Sequence, residues 1–289
     1  MVTAKIPRHQ AGAMGTMGLV SGTPAFLYGT AWKEERTTEL VETAILQGFR
    51  GIDTANQRKH YFEMAVGAAI TNQIENEIVN RDDLFIQTKF THRGGQDDRL
   101  PYNADAPVSE QVHQSFAKSL EHLCMDRIDS FVLHGPSQRV GLAAQDKEAW
   151  FAMEEVHEQG AIGVLGVSNF SAEQLEILLA DANVKPSFVQ NRCYAALGWD
   201  QEVRRICEVN DMVYQGFSLL TANRQVWKSR RVEAIGKLHG MTPAQIIFCL
   251  ALELDMLPLT GTSDTGHMRD NLACNRDVLS LVEVQRLEN

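Results

Sequence analysis

Three apolar runs carry a residue able to hold or move a proton: Asp53 in RGIDTA, Lys89 in LFIQTKF and His134 in IDSFVLH. An ionisable group inside such a run is costly unless it is paired, and Asp53 with Lys89 can form that pair. Two further runs end in a hydroxyl and amides, GVSNF with Ser168 and Asn169, and VQNRC with Gln190 and Asn191. A carboxylate, an ammonium, an imidazole and several amides at one rim would suit acid–base work on a polar substrate. Taken alone, Asp53 with Lys89 reads equally as a structural ion pair closing a barrel mouth, and His134 as a core histidine. A metal-dependent hydrolase would need a cluster of His, Asp and Glu across strand ends. Only Asp53 and His134 qualify, with Lys89 between them, so no metal site is predicted.

These side chains can meet only if the runs that carry them lie side by side. Strand-like runs occupy 25–30, 50–55, 84–90, 128–134, 163–170, 187–193, 212–218 and 256–262. Helical periodicity follows at 35–49, 62–74, 109–123, 148–160, 172–182 and 201–210. It resumes as one stretch from Val232 to Leu254, with a last helix over about 266–281. Runs that are apolar throughout suit strands buried on both faces. Eight β–α units in 289 residues predict an α/β fold, a closed (β/α)8 TIM barrel forming a single domain over 1–289. An open doubly wound sheet would want a G-x-G-x-x-G turn after its first strand. Gly12, Gly15, Gly18 and Gly22 are spaced differently and do not sit between a strand and a helix. Residues 92–107 read as an inserted polar loop, and 135–145 as a shorter one. The active site of such a barrel forms at the C-terminal strand ends, where Asp53, Lys89, His134, Ser168, Asn169 and Gln190 all fall.

Composition narrows the partners. With 27 Lys+Arg against 37 Asp+Glu the chain carries a formal charge of −10, which argues against a nucleic-acid partner. No apolar run is long enough for a membrane span, and Met1–Gln10 is not followed by the apolar stretch of a signal peptide. Five cysteines, Cys124, Cys193, Cys207, Cys249 and Cys274, with no C-x-x-C pair, fit neither a disulfide framework nor a zinc site and read as reduced, mostly buried thiols. The expectation is a cytoplasmic monomer or weak dimer acting on a small molecule.

Taken together, these motifs resemble the aldo-keto reductases over most of the chain. GTAWK (29–33) is similar to the family's first strand end, placing Gly29 and Thr30 beside the cofactor and Trp32 in the substrate pocket. GFRGIDTA carries Asp53 where the family has its aspartate, IQTKF carries its lysine as Lys89, and FVLHGP its histidine as His134. GVSNF is the most specific match. By resemblance Ser168, Asn169 and Gln190 hold the nicotinamide carboxamide, Phe217 stacks on the ring, and Ser218 and Leu220 continue the cofactor site. The resemblance implies reduction of an aldehyde or ketone by hydride transfer from NADP(H), with NAD(H) as the other candidate. Charge developing on the carbonyl oxygen needs a proton donor. A tyrosine, with an ordinary pKa of about 10, would be activated by Lys89, itself held charged by Asp53. A neutral His134 would orient the substrate oxygen.

The chain departs from the family in places. The tyrosine is usual five residues after the aspartate, where this chain has Arg58; its nearest tyrosine, Tyr61, comes eight after Asp53. Glu63, Val66 and Gly67 then resume the family's helix pattern, so a longer loop delivers Tyr61 to the mouth, with His60 as the alternative donor. After the eighth strand the family's Lys-Ser and Arg become Gly261, Thr262 and His267. A 2′-phosphate prefers a cationic partner, leaving Thr262, Ser263, the amides at the start of the last helix and Arg269 as candidates, with Asn271 on the adenine. Gly135 replaces a tryptophan after His134, and the sequence stops at Asn289, where many members continue with a loop walling in the substrate. Both imply an open pocket shaped by Trp32, the 92–107 insertion and the loop after His134. The alternative function is a non-catalytic dinucleotide-binding sensor or regulatory subunit on the same barrel.

Overall fold

The computed structural model describes residues 22–288; Met1–Gln10, Gly12, Gly15 and Gly18 lie outside them. Eight parallel strands close into a barrel in sequence order. They are β1 (Leu27–Gly29), β2 (Gly51–Asp53), β3 (Phe85–Phe90), β4 (Ile128–Leu133), β5 (Ile162–Ser168), β6 (Phe188–Arg192), β7 (Val213–Phe217) and β8 (Met256–Thr260). Closure is made by β1 on β8, with Leu27 opposite Leu259 and Tyr28 opposite Thr260. Helices cover the outside, and the main core lies between them and the strands. No single helix among the described residues is long and apolar enough to cross a membrane.

Inside the barrel, side chains alternate with period two along each strand, and three strands carry the same ladder. β3 reads Phe85, Gln87, Lys89; β6 reads Phe188, Gln190, Arg192; β7 reads Val213, Gln215, Phe217. Register locks β6 to β7, with Phe188 opposite Val213, Gln190 opposite Gln215 and Arg192 opposite Phe217. The lowest layer is an apolar plug of Leu27, Phe85, Phe188, Val213 and Leu257. Above it lies a glutamine layer, and the residues of the mouth stand on that.

Two helix boundaries differ from the sequence expectation. The stretch from Val232 to Leu254 is two helices, Arg230–His239 and Pro243–Glu253, bent 86° apart. Gly240 ends the first at φ +66°, Thr242 caps the second by accepting from Gln245 N, and Pro243 suits a helix's first turn but not its interior. The last predicted helix stops at Leu272 (Thr265–Leu272), and a separate helix, Leu281–Glu288, follows. Ser280 begins it by exchanging hydrogen bonds with Glu283.

The 92–107 segment is pinned to the loop after β2. Gln57 Nε2 donates to Gly95 O at 2.7 Å, Gln96 Nε2 to Asn56 O at 2.8 Å, and Tyr102 Oη to Thr91 O at 2.7 Å. The polar insertion thereby buttresses the loop that carries Tyr61.

Candidate active site

The ends of β2 and β3 place Asp53 and Lys89 in contact, Nζ to Oδ1 at 2.6 Å, with both side chains buried. Asp53 Oδ1 also accepts from Gln87 Nε2 at 2.7 Å and Gln190 Nε2 at 3.0 Å. Lys89 donates a second bond to Thr54 O at 2.8 Å. Gln215 Oε1 accepts from both Gln87 and Gln190, and Ser130 Oγ donates to Gln87 Oε1 at 2.9 Å. Four strands thus hold one carboxylate oxygen in place. Burial pulls the Lys89 pKa down, and Asp53 opposes it. Behind the lysine, buried Glu63 accepts from Thr88 Oγ1 and meets His122 Nδ1 at 3.0 Å.

His134, just past β4, has its Nδ1 2.7 Å from Thr91 Oγ1. Burial first, then the Lys89 charge, then His60, hold its pKa well below the ordinary histidine value, so the ring is neutral at neutral pH. Tyr61 reaches the same mouth. Its ring lies edge-on to His134, centroids 5.8 Å apart, and the Lys89 ammonium stands 5.3 Å from its centroid. Among the described residues no hydrogen bond is made by its hydroxyl. Burial, with Asp53 adding to it, pushes the Tyr61 pKa upward, where the sequence reading had Lys89 pulling it down. The Lys89 charge is spent on Asp53. His60, the alternative donor, lies at the rim with its ring 4.0 Å from that of Trp32.

Asp53, Tyr61 and His134 line one cavity of about 920 Å³, within the usual range for a ligand site. Its walls also include Gly29, Trp32, Ser168, Asn169, Gln190, Phe217, Ser218, Leu220, Gly261 and Thr262. Asn169 at the end of β5 and Ser218 at the end of β7 both take φ of 58°, strain of the kind that gathers at binding sites. Asn169 Nδ2 donates to His134 O at 2.8 Å and to Ser168 Oγ at 3.0 Å. Gln190 spends its Nε2 on Asp53 and Gln215, leaving Oε1 as the group that can accept from a ligand.

Four predicted site residues, Lys89, Thr30, Asn271 and His267, do not line the cavity, and neither does the candidate Arg269. Thr30 is fully buried, its hydroxyl donating to Asp53 O at 2.9 Å, and it fixes the β1–β2 rim. Asn271 is buried with its amide on Thr260 Oγ1 at 2.9 Å. His267 is exposed beside Asp264. Arg269 turns outward to Gln47 Oε1 at 3.1 Å.

Lys33, Arg36 and Arg192 line the cavity without being marked by the sequence as its cations, and the candidate Ser263 lines it too. Thr91, Gln87, Gln215 and Ser130 were missed as well. The period-two repeat of glutamine in β3, β6 and β7 was a signal present in the sequence. Among the described residues Asp53 is the only acid lining the cavity and is already paired, while Lys33, Arg36 and Arg192 also line it in a chain that is acidic overall. Such a donor set, with hydroxyls at Ser218, Thr221 and Thr262 and apolar walls at Phe217, Leu219 and Leu220, fits an anionic ligand with a flat polar ring at one end. A dinucleotide has that chemistry.

Comparison with known proteins agrees with this reading. The family model of the aldo/keto reductase family matches residues 13–289. Glyoxal reductase of Bacillus subtilis (strain 168) is 31% identical over 210 residues, covering 73% of this chain and 67% of that protein. Deoxymugineic acid synthase 1 of Zea mays is 30% identical, covering 92% of this chain and 87% of that protein. Among solved structures, an aldo-keto reductase complexed with NADPH superposes with a TM-score of 0.78 at 24% identity, covering 92% of this chain and 84% of that one. An aldo/keto reductase from Brucella melitensis superposes with a TM-score of 0.77.

Proposed function

The chain belongs to the aldo/keto reductase family, and from that premise we propose that it reduces an aldehyde or ketone to the alcohol with NADPH. One observation carries this reading: Asp53, Tyr61 and a neutral His134 meet on one cavity wall, with Asp53 paired to the buried Lys89. When bound, the reduced nicotinamide supplies the hydride. Ser168, Asn169 and the free Oε1 of Gln190 would hold its carboxamide, and Phe217 would pack on the ring.

The chain's own residues then answer for charge. Hydride addition places negative charge on the carbonyl oxygen, which must be met by preorganised donors. Thr91 Oγ1 lies 2.7 Å from Nδ1; the neutral His134 tautomer in which that hydroxyl donates carries its proton on Nε2 and can donate to the carbonyl oxygen. Tyr61 stays protonated through the neutral range and offers a hydroxyl committed to no other group. It gives up its proton as the alkoxide forms. Asp53 keeps the ammonium charged against its burial. Gly135 offers no side chain beside Asn169, which lines the cavity, so a permissive range of carbonyl substrates is expected.

The test is titration with NADPH, followed by quenching of tryptophan fluorescence, then addition of 4-nitrobenzaldehyde while nicotinamide absorbance is recorded. Oxidation of NADPH on adding the aldehyde is the expected result. Tight binding with no oxidation across a panel of aldehydes and ketones would sink the reductase reading and leave the dinucleotide-binding sensor. One observation favours that second reading: Tyr61 turns its ring, not its hydroxyl, toward Lys89.

A further inference from the structure

The five cysteines lie in three settings. Cys124 is exposed. Cys193 and Cys207 are buried, and burial pushes both thiols up to about 12, where they stay protonated and inert. Cys249 and Cys274 are buried together, and their meeting follows from the fold. Cys249 lies in the helix Pro243–Glu253, where a side chain leans back over the turn before its own Cα, here the turn of Gln245. Cys274 comes just after the helix Thr265–Leu272. Its Sγ stands 3.7 Å from Gln245 O and 3.3 Å from Asp270 O. The two sulfurs therefore share one turn of helix, and the thiols hydrogen-bond to each other. Neither residue lines the cavity of the active site.

The contact makes the two sulfurs unequal. The hydrogen bond from Cys274 pulls the Cys249 pKa below the ordinary thiol value against its burial, and the same bond, with burial, holds Cys274 above it. Cys249 is thus the readier thiolate, the form that attacks an oxidant, and a second thiol already rests against it to resolve the product. The pair meets solvent only at Cys274, which is 6% exposed, so a small oxidant suits it. Met241 Sδ, 3.9 Å from Cys249 Sγ, completes an environment of sulfur and backbone carbonyls.

We propose that Cys249 and Cys274 are an oxidisable pair, a modification site at which hydrogen peroxide forms a disulfide that staples the helix after β8 to the helix before it. The Cys249 sulfur attacks one peroxide oxygen, the O–O bond breaks, and a sulfenic acid forms as the other oxygen leaves in water. The Cys274 sulfur then attacks the sulfenic sulfur, the S–O bond breaks, and a second water leaves. Two thiols lose two electrons and two protons in all, and the peroxide is reduced to two waters. The new bond closes a loop of about 25 residues that contains β8, which is expected to raise the melting temperature by about 5 °C. Asn271 lies inside that loop, with its amide on Thr260 of the cavity wall and its carbonyl accepting from Cys274 N at 3.1 Å. The staple therefore borders the active site without touching it.

The experiment uses the whole chain carrying C124S, which removes the exposed thiol and changes neither member of the pair. The folded protein is treated with hydrogen peroxide, its remaining thiols are blocked, and it is digested without reduction for mass spectrometry. The expected product is one cross-linked peptide pair joining Cys249 to Cys274, lighter by two hydrogens, with Cys193 and Cys207 recovered as blocked thiols. The oxidised protein should melt about 5 °C higher, and dithiothreitol should reverse both changes. Adding C249A or C274A should abolish the cross-link and the rise in melting temperature. Recovery of Cys249 and Cys274 as blocked thiols would overturn the proposal. So would Cys249 as a sulfinic acid beside a free Cys274, since the second sulfur would then have failed to close the bond. A cross-link from either residue to Cys193 or Cys207 would assign the pair wrongly and overturn it as well.

Discussion

The two sides of the cavity are built by opposite means. On the β2–β4 side the charged pair is buried and answered: Asp53 Oδ1 takes three donors, Lys89 has two acceptors, and Thr91 holds the His134 ring. At the exit of β8 the residues are exposed or small, Asp264 caps the helix Thr265–Leu272, and a buried cation, Lys33, arrives from the loop after β1 with a single hydrogen-bond partner, Gly261 O. The first side is finished without a ligand and the second is not. A site for chemistry needs charges that do not move as the reaction proceeds, whereas a site for binding needs donors still unspent. The difference teaches where energy is stored: in pairing on one side, in unmet hydrogen bonds on the other.

The sharpest way to break the comparison is to unpair the finished side. K89M removes the ammonium and leaves Asp53 buried with the two glutamine amides alone. Removing one partner of a buried pair typically costs about 3–5 kcal/mol; because Gln87 and Gln190 remain, the lower end, about 3 kcal/mol, is expected in urea unfolding. Carbonyl reduction should fall with it in the fraction still folded. A loss of stability under about 1 kcal/mol would show that the glutamine layer, not the ion pair, holds Asp53.

Y61F comes next. Its hydroxyl bonds to nothing among the described residues, so the substitution should leave the melting temperature unchanged. A positioned general acid contributes about 100-fold or more, and kcat should drop by that factor while the dissociation constant for NADPH stays put. A fall in cofactor affinity matching the fall in kcat would mean that the two sides are not separable. Unchanged turnover would remove Tyr61 from the role and bring His60 forward.

The same contrast explains what could be read from the sequence. The barrel was legible because apolar runs of strand length repeat with helices between them. Asp53, Lys89 and His134 were legible because charge in such runs is costly and therefore conspicuous. Gln87 and Gln215 are not conspicuous: a neutral amide in a strand is ordinary, and only the register that sets Gln190 opposite Gln215 shows them to be one layer. The break at Gly240 was available from Gly, Thr and Pro in succession but was outweighed by the helical periodicity on either side. Lys33 was hidden for a stronger reason. Its partner Gly261 is 228 residues away, and no local pattern in GTAWK says that a side chain crosses to the last strand. Tyr61 lies between these cases, since the longer loop placed it at the mouth while the direction of its hydroxyl followed only from packing.

The smallest effect sharpens the comparison most, because the two sides respond to pH differently. His134 is neutral well below the physiological range and Tyr61 stays protonated above it, so neither titrates near pH 8. Lys33 does, at about 8. The groups facing it are Arg36, whose proximity adds to burial in lowering the Lys33 pKa, and Tyr28, whose phenol burial holds above its ordinary value. As pH rises through 8 the free protein loses an ammonium from the cavity wall, and NADPH affinity should fall by up to about tenfold per unit. Stability runs the other way. A lysine whose folded pKa lies below its unfolded value costs the folded state most when charged, so wild type should gain stability relative to K33M between pH 8 and about 10. Opposite slopes for affinity and relative stability, both abolished in K33M, would identify one buried ammonium as the source of each. Parallel slopes, or a pH response surviving in K33M, would place the titrating group elsewhere.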